Sequence, residues 1–130
     1  MIVLQGCSQP QPVPETAEPE TETLSRTEFT QRVENFFEYE PLRSGKPSAF
    51  LIHLTDLSDG SPVAQAEVTL VVSPKGSRDS ITQAVSRAGK VTGIYVAELT
   101  VPRPGGYDIE FHIKNAKLDE RMTLSDFEVE

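Results

Sequence analysis

Beyond Pro41, apolar and polar side chains alternate with a period of two almost everywhere, the pattern of strands that bury one face. "SAFLIHLTDL" sets Phe50, Ile52 and Leu54 on one face and Ala49, Leu51 and His53 on the other. "AEVTLVVS" turns Ala66, Val68, Leu70 and Val72 inward, with Glu67 and Thr69 outward. A weaker strand passes through Ile81 and Val85. "IYVAELTV" and "YDIEFHI" follow, the second with Tyr107, Ile109, Phe111 and Ile113 inward and Asp108, Glu110 and His112 outward. In "ERMTLSDFEV" Met122 and Leu124 are out of phase with Phe127 and Val129, which predicts a bulge near Ser125.

Turn signals separate these runs at regular intervals: Asp59-Gly60 with Pro62, Pro74-Lys75-Gly76, Ala88-Gly89, Pro102 to Gly106, and Lys114-Asn115. About seven short strands so spaced predict an all-β fold, an antiparallel sandwich of immunoglobulin type. Alternation, rather than continuous apolar runs, gives each sheet one wet face. Before Pro41 the pattern supports two readings. Ser25 and Glu28 fit a capping box, with Phe29, Val33, Phe36 and Phe37 at helical spacing. The same stretch makes a strand with Val33, Phe37 and Tyr39 on one face and Arg32, Glu34, Glu38 and Glu40 largely on the other.

One short pattern occurs twice in "VTGIYVAELTVPRPGGYDIEF": Gly93-Ile94-Tyr95 and, twelve positions on, Gly105-Gly106-Tyr107. In each copy a glycine permits a turn and an aromatic opens a strand, so the repeat reads as fold punctuation. Tyr107, at the start of the penultimate strand, matches the tyrosine corner of such sandwiches. Gly60, Gly93, Gly105, Gly106 and Tyr107 are therefore structural residues of turns and corners.

Residues 8–28, rich in Pro, Glu and Thr, hold too few apolar groups to offset their ordering entropy, and a disordered linker is expected. Such a linker would extend at ~3.1 Å per residue in polyproline II conformation and serve as a tether. A net charge of -8 argues against a nucleic-acid binder, because nothing here neutralises a run of phosphates. The single cysteine excludes an internal disulfide and any multi-cysteine metal site.

That cysteine, Cys7, stands in "LQGC", with Leu4 and Gly6 at the apolar and small positions of the bacterial lipid-attachment signal. Residues 1–7 read as the truncated end of such a signal: the stretch before Cys7 is too short for an apolar h-region, and no Lys or Arg precedes it. Lipidation of Cys7 after an upstream start is one expectation; a plain thiol is the other.

Catalytic chemistry is not expected. No glycine-flanked serine marks a nucleophile elbow, no phosphate loop or dinucleotide fingerprint occurs, and Asp56 and Asp59 read as turn residues. His53, His112 and Met122 are the candidate soft or borderline metal ligands. The alternation puts the two imidazoles on the outsides of opposite sheets, where they could not share an ion. No cofactor is expected.

With the strands laid out, residues 29–130 resemble the N-terminal domain of periplasmic adaptor subunits of bacterial resistance-nodulation-division efflux systems, in their heavy-metal and cation branch. The likeness lies in an aromatic, acidic first strand ending "YEPL", then "SGKPSAFLIHLTDLSDGSPV", then the paired "GIY" and "PGGY" strands. The resemblance favours a strand over residues 30–39. It implies an immunoglobulin-like accessory module on the periplasmic side of the envelope, lipid-anchored through Cys7. Its implied partners are an inner-membrane pump and an outer-membrane channel. The chain lacks the Met- and His-rich segment of some copper-handling relatives, and it does not run on into a lipoyl-like domain, a helical hairpin and a barrel. Two alternatives stand beside this reading: a free-standing envelope lipoprotein binding a cation or copper, and a carbohydrate or cell-wall binding module.

Overall fold

The computed structural model describes residues 22–130, all-β, as two antiparallel sheets packed face to face. One sheet is built from β1 (Leu24–Phe29), β2 (Val33–Tyr39), β3 (Pro47–Asp56), β8 (Ile94–Thr100) and β7 (Arg87–Ala88), in that order, with β4 (Ser61–Pro62) also paired to β3. The other runs β10 (Asp119–Val129), β9 (Gly105–Lys114), β5 (Glu67–Pro74), β6 (Thr82–Val85). The orders β2-β3-β8-β7 and β10-β9-β5 reproduce the A-B-E-D and G-F-C sheets of an immunoglobulin domain, with β6 beside C as an added strand. The strand count exceeds the expected seven because β4 and β7 are two-residue pairings and β1 is an extra N-terminal strand.

The alternation read from the sequence is what the sheets bury. Phe50, Ile52 and Leu54 from β3 and Val68, Leu70 and Val72 from β5 meet across the sandwich with Ile109, Phe111 and Ile113 from β9, all essentially inaccessible. Phe37 of β2 lies at the centre: its ring is 6.0 Å from Phe50 in its own sheet and 4.8 and 6.3 Å from Phe111 and Phe127 in the other. Offset aromatic contacts of this kind add to the burial of ring surface.

Three expectations are corrected. The helical option for residues 25–40 is not realised, since β1 and β2 form a hairpin in which Leu24 pairs with Tyr39. The linker boundary at residue 28 falls inside β1, whose pairing with β2 offsets a composition that alone would not order it. The weaker strand expected through Ile81 and Val85 is β6, which begins at Thr82 and leaves Ile81 outside it; Ile81 and Ala84 pack on the core while Val85 is 57 % exposed. Cys7, residues 1–7 and residues 8–21 of the expected linker lie outside the described residues.

The sides of the sandwich are closed by local devices. The expected bulge in β10 lies between Leu124 and Phe127, with Asp126 at φ 70°. Across it, Arg26 of β1 donates to the Ser125 carbonyl at 2.8 Å and lays its guanidinium 4.7 Å from the Phe127 ring centroid. On the opposite side the chain passes from β6 in one sheet to β7 in the other, with the Ser86 amide donating to Val68 at 2.9 Å. At one pole, β10 ends against the segment after β2: the Glu130 amide donates to Leu42 and the Ser44 amide to Glu130. Leu24 enters beside Tyr39 at that same pole.

The repeated Gly-aromatic pattern marks two strand starts, one in each sheet. Gly93 has φ 89°, and a Cβ there would lie 2.6 Å from Pro62 Cβ, so glycine is required on both counts. Tyr95 donates its hydroxyl to the Val63 carbonyl at 2.7 Å and accepts from the Ala66 amide at 3.0 Å. Tyr107 donates to the Arg103 carbonyl at 2.8 Å, four residues upstream, which is the expected tyrosine corner. Gly60 and Gly105 are left-handed at φ 75° and 144°, whereas Gly106 sits in the β9–β10 ladder opposite Glu128.

Candidate functional site

The outer face of the six-stranded sheet is the feature that the core does not explain. In an antiparallel ladder directly paired residues share a face, so the register defines its rows. Thr27, Phe36, His53 and Ile94 form one row, and Ser25, Glu38, Leu51, Val96 and Arg87 form the next. Phe29 belongs to the same face, opposite Glu34, and Ala49 lies opposite Glu98. Phe29 is 61 % and Leu51 37 % exposed, while Phe36, Ile94 and Val96 are half-buried. Apolar side chains thus cross four strands on a wet surface, with carboxylates around them.

His53 is part of this stripe. Its ring centroid is 5.3 Å from that of Phe36, and its Nε2 is shielded, without a hydrogen bond, 3.8 Å from a Glu38 oxygen. A groove of about 350 Å³ lies over the next row, between Glu38, Glu40, Ala49, Leu51 and Val96.

The outer face of the four-stranded sheet is polar apart from Val71 and Val85. His112 and Arg121 are paired across β9 and β10, and Thr69 of β5 stands on the other side of His112. His112 Nε2 is 2.6 Å from Asp119 Oδ1. A carboxylate accepts, so the proton lies on Nε2, and this hydrogen bond is the main reason the Asp119 carboxyl is held below its usual range. No hydroxyl among the described residues hydrogen-bonds to the imidazole, so the pair has no attached nucleophile.

The candidate ligands are placed apart, as expected for the two histidines: His53 is on β3 and His112 on β9, in opposite sheets. Met122 is buried and its sulfur accepts from the Asn35 amide at 3.6 Å inside the sandwich. Among the described residues no group of three or more His, Cys, Asp or Glu could hold a metal ion.

Asp56 and Asp59 act as turn residues, each accepting from the amide and hydroxyl of the serine two positions on. What the sequence did not reveal is the grip of Arg32 on Asp56, two bonds of 2.9 and 3.1 Å from adjacent guanidinium nitrogens. That bidentate contact comes first, and Ser58 second, in holding the Asp56 carboxyl far below the ordinary range; the same contact raises Arg32 further. A cleft of about 230 Å³ opens beside Asp56, between Ser61, Ala64, Gln65, Asn115 and Lys117. Its walls are pinned to each other, with the Asn115 side chain donating to Ala64 at 2.9 Å.

No family model and no curated protein matches this chain. Among solved structures it is similar to one described as the ZirS C-terminal domain, at 17% identity and a TM-score of 0.43, with 94% of this chain and 86% of that chain covered. A likeness of that size bears on neither the site nor its function.

Proposed function

We propose that the chain is a non-catalytic interaction module, the accessory immunoglobulin-like domain of a lipid-anchored periplasmic adaptor in a tripartite cation efflux system. The observation that carries the interaction reading is the apolar stripe on the outer face of the six-stranded sheet, from Phe29 through Phe36 and Leu51 to Val96. A contiguous apolar surface rimmed by charge is the expected footprint of a binding partner. The adaptor setting draws its support from the sequence resemblance of residues 29–130, which names an inner-membrane pump and an outer-membrane channel as the assembly served. Cys7 would carry the anchor, and the Pro-rich segment after it would set the module's distance from the membrane.

The adaptor setting is tested by the intact mass of the native protein from envelopes of its host. A mass several times that of this chain, with diacylglyceryl on its first residue, is the expected result. A mass matching residues 7–130 plus lipid would overturn it in favour of a free-standing lipoprotein. That second reading, with cation binding as its activity, has the His112–Asp119 pair in its favour, because a carboxylate that fixes one ring nitrogen presents the other to a ligand. The pair offers too few groups to hold an ion by itself. A carbohydrate-binding module would draw on Phe29 and Phe36, the two outward phenylalanines, but Phe37, Phe50, Phe111 and Phe127 are all spent on the core.

A further inference from the structure

We infer that the outer face of the six-stranded sheet docks a cationic, apolar segment of a partner protein: side chains such as Leu or Ile for the stripe, flanked by Lys or Arg for the rim. The inference rests on the interaction reading above and adds the chemistry of the partner. Phe36 of β2, Leu51 of β3 and Ile94 and Val96 of β8 form the apolar stripe, with Leu51 between Glu38 and Val96 in its row and His53 between Phe36 and Ile94 in the next. Around them stand Glu34, Glu38, Glu40 and Glu98, and Arg87 is the one cation in the described ladders of that face. The groove above Leu51 combines both chemistries, since Ala49, Leu51 and Val96 supply apolar walls while Glu38 and Glu40 supply carboxylates.

Charge chooses among the occupants. A second copy seated on this face would bring the same carboxylates against their counterparts, on a chain whose net charge is already -8. An anionic lipid surface would meet the same repulsion. A partner with Lys or Arg flanks converts that rim into steering and register, while burial of the stripe supplies the affinity. The four-stranded sheet sets only Val71 and Val85 outward among Thr69, Gln83, Glu110, His112, Arg121 and Thr123, and neither valine is paired to an apolar residue.

The test titrates the ¹⁵N-labelled 130-residue chain with a synthetic amphipathic peptide of Leu and Lys, and separately with its Leu and Glu counterpart. The Leu/Lys peptide is expected to shift the amides of Phe36, Glu38, Leu51 and Val96 and to leave those of Thr69, Glu110 and Thr123 in place. Leu51→Glu should weaken that binding at least about tenfold, as loss of a central anchor does. Glu38→Lys, a surface exchange that leaves the stripe intact, should remove the preference for the cationic peptide and so decides the matter if Leu51→Glu does not fold. Equal response to both peptides, or shifts spread over both sheets, would overturn the inference. Shifts at these amides on concentrating the protein alone would assign the face to a second copy, and shifts with phosphatidylglycerol vesicles to a membrane; either outcome overturns it. A short native mass with Leu/Lys binding retained would remove the adaptor setting and keep the docking face. A long native mass with no peptide response would do the reverse.

Discussion

The two sheets are built from the same alternating strands and share one core, yet their outer faces differ almost completely. Each sheet carries a histidine, a hydroxyl clasp from a tyrosine near the start of a strand, and an aspartate held in its charged form. On the six-stranded side His53 lies against Phe36 with no hydrogen-bond partner. On the four-stranded side His112 is tied to Asp119 at 2.6 Å. One residue type thus serves as part of an apolar surface in one place and as half of a polar pair in the other. The cross-strand neighbours decide which, because an imidazole has both an apolar body and a polar tip.

The contrast depends on the shared core, and the largest effect is expected there. Phe37→Ala removes a ring that touches Phe50, Phe111 and Phe127 at once. It should cost about 3–5 kcal/mol in urea denaturation and lose both faces in a single transition. Separate transitions for the two sheets would show that they are less coupled than their packing implies.

The tyrosine clasps come next. Tyr95→Phe leaves the buried Val63 carbonyl and the Ala66 amide without their partner, and should cost about 2 kcal/mol. Tyr107→Phe loses one half-buried bond, to Arg103, and should cost about 1 kcal/mol. Denaturation of the two variants side by side measures the difference; equal losses would mean that the second bond of Tyr95 contributes nothing.

The aspartates separate the sheets by pH. Asp56 and Asp119 both titrate below the usual carboxylate range in the folded chain, so the unfolded chain binds more protons than the folded one as acid is added. The stability they contribute is complete above about pH 5 and falls away as the pH drops toward their folded values. Asp56→Asn should therefore be less stable than the unchanged chain at neutral pH, and the gap should narrow in acid. Asp119→Asn should follow the same course with a smaller gap, since Asp119 is itself exposed and its partner is one imidazole rather than a bidentate guanidinium and a serine. Chemical denaturation at pH 7, 5 and 3 would measure both, and a constant gap for Asp56→Asn would show that Arg32 does not select the charged form.

The smallest effect concerns the histidines themselves. Calorimetry with Zn²⁺ or Cu²⁺ should show no one-to-one binding, because the two rings lie on opposite outsides of the molecule. Tight binding lost on His112→Ala would sharpen the contrast into a functional one and move the cation-binding reading to first place.

Much of this architecture was legible from period-two patterning. The inward sets of β3, β5 and β9, the β10 bulge and the tyrosine corner follow from alternation and turn chemistry, which are local. β1 was not legible: Leu24, Ser25 and Thr27 give no strong strand signal, and what holds them is pairing to β2 and the reach of Arg26 to Ser125, a contact 99 residues away in sequence. Val85 misled for a related reason. Its apolar character says inward, but β6 leaves the four-stranded sheet within a residue to become β7, and Ala84 holds the inward place. The docking face was only half legible. Leu51 and His53 were read as outward, but that Phe29, Phe36, Ile94 and Val96 join them is a fact of register, which no single strand encodes.

The meeting of Leu24 and Glu130 at one pole also has a mechanical side. A pull applied between these two points crosses the sandwich rather than running along its strands. It would load the Glu130–Leu42 and Ser44–Glu130 bonds first, then Arg26 on Ser125, one after another. Strands sheared lengthwise share a load over many bonds, whereas a pole opened this way yields like a zip. The fold would thus resist heat and denaturant through its core while offering little resistance to a modest tug between Leu24 and Glu130.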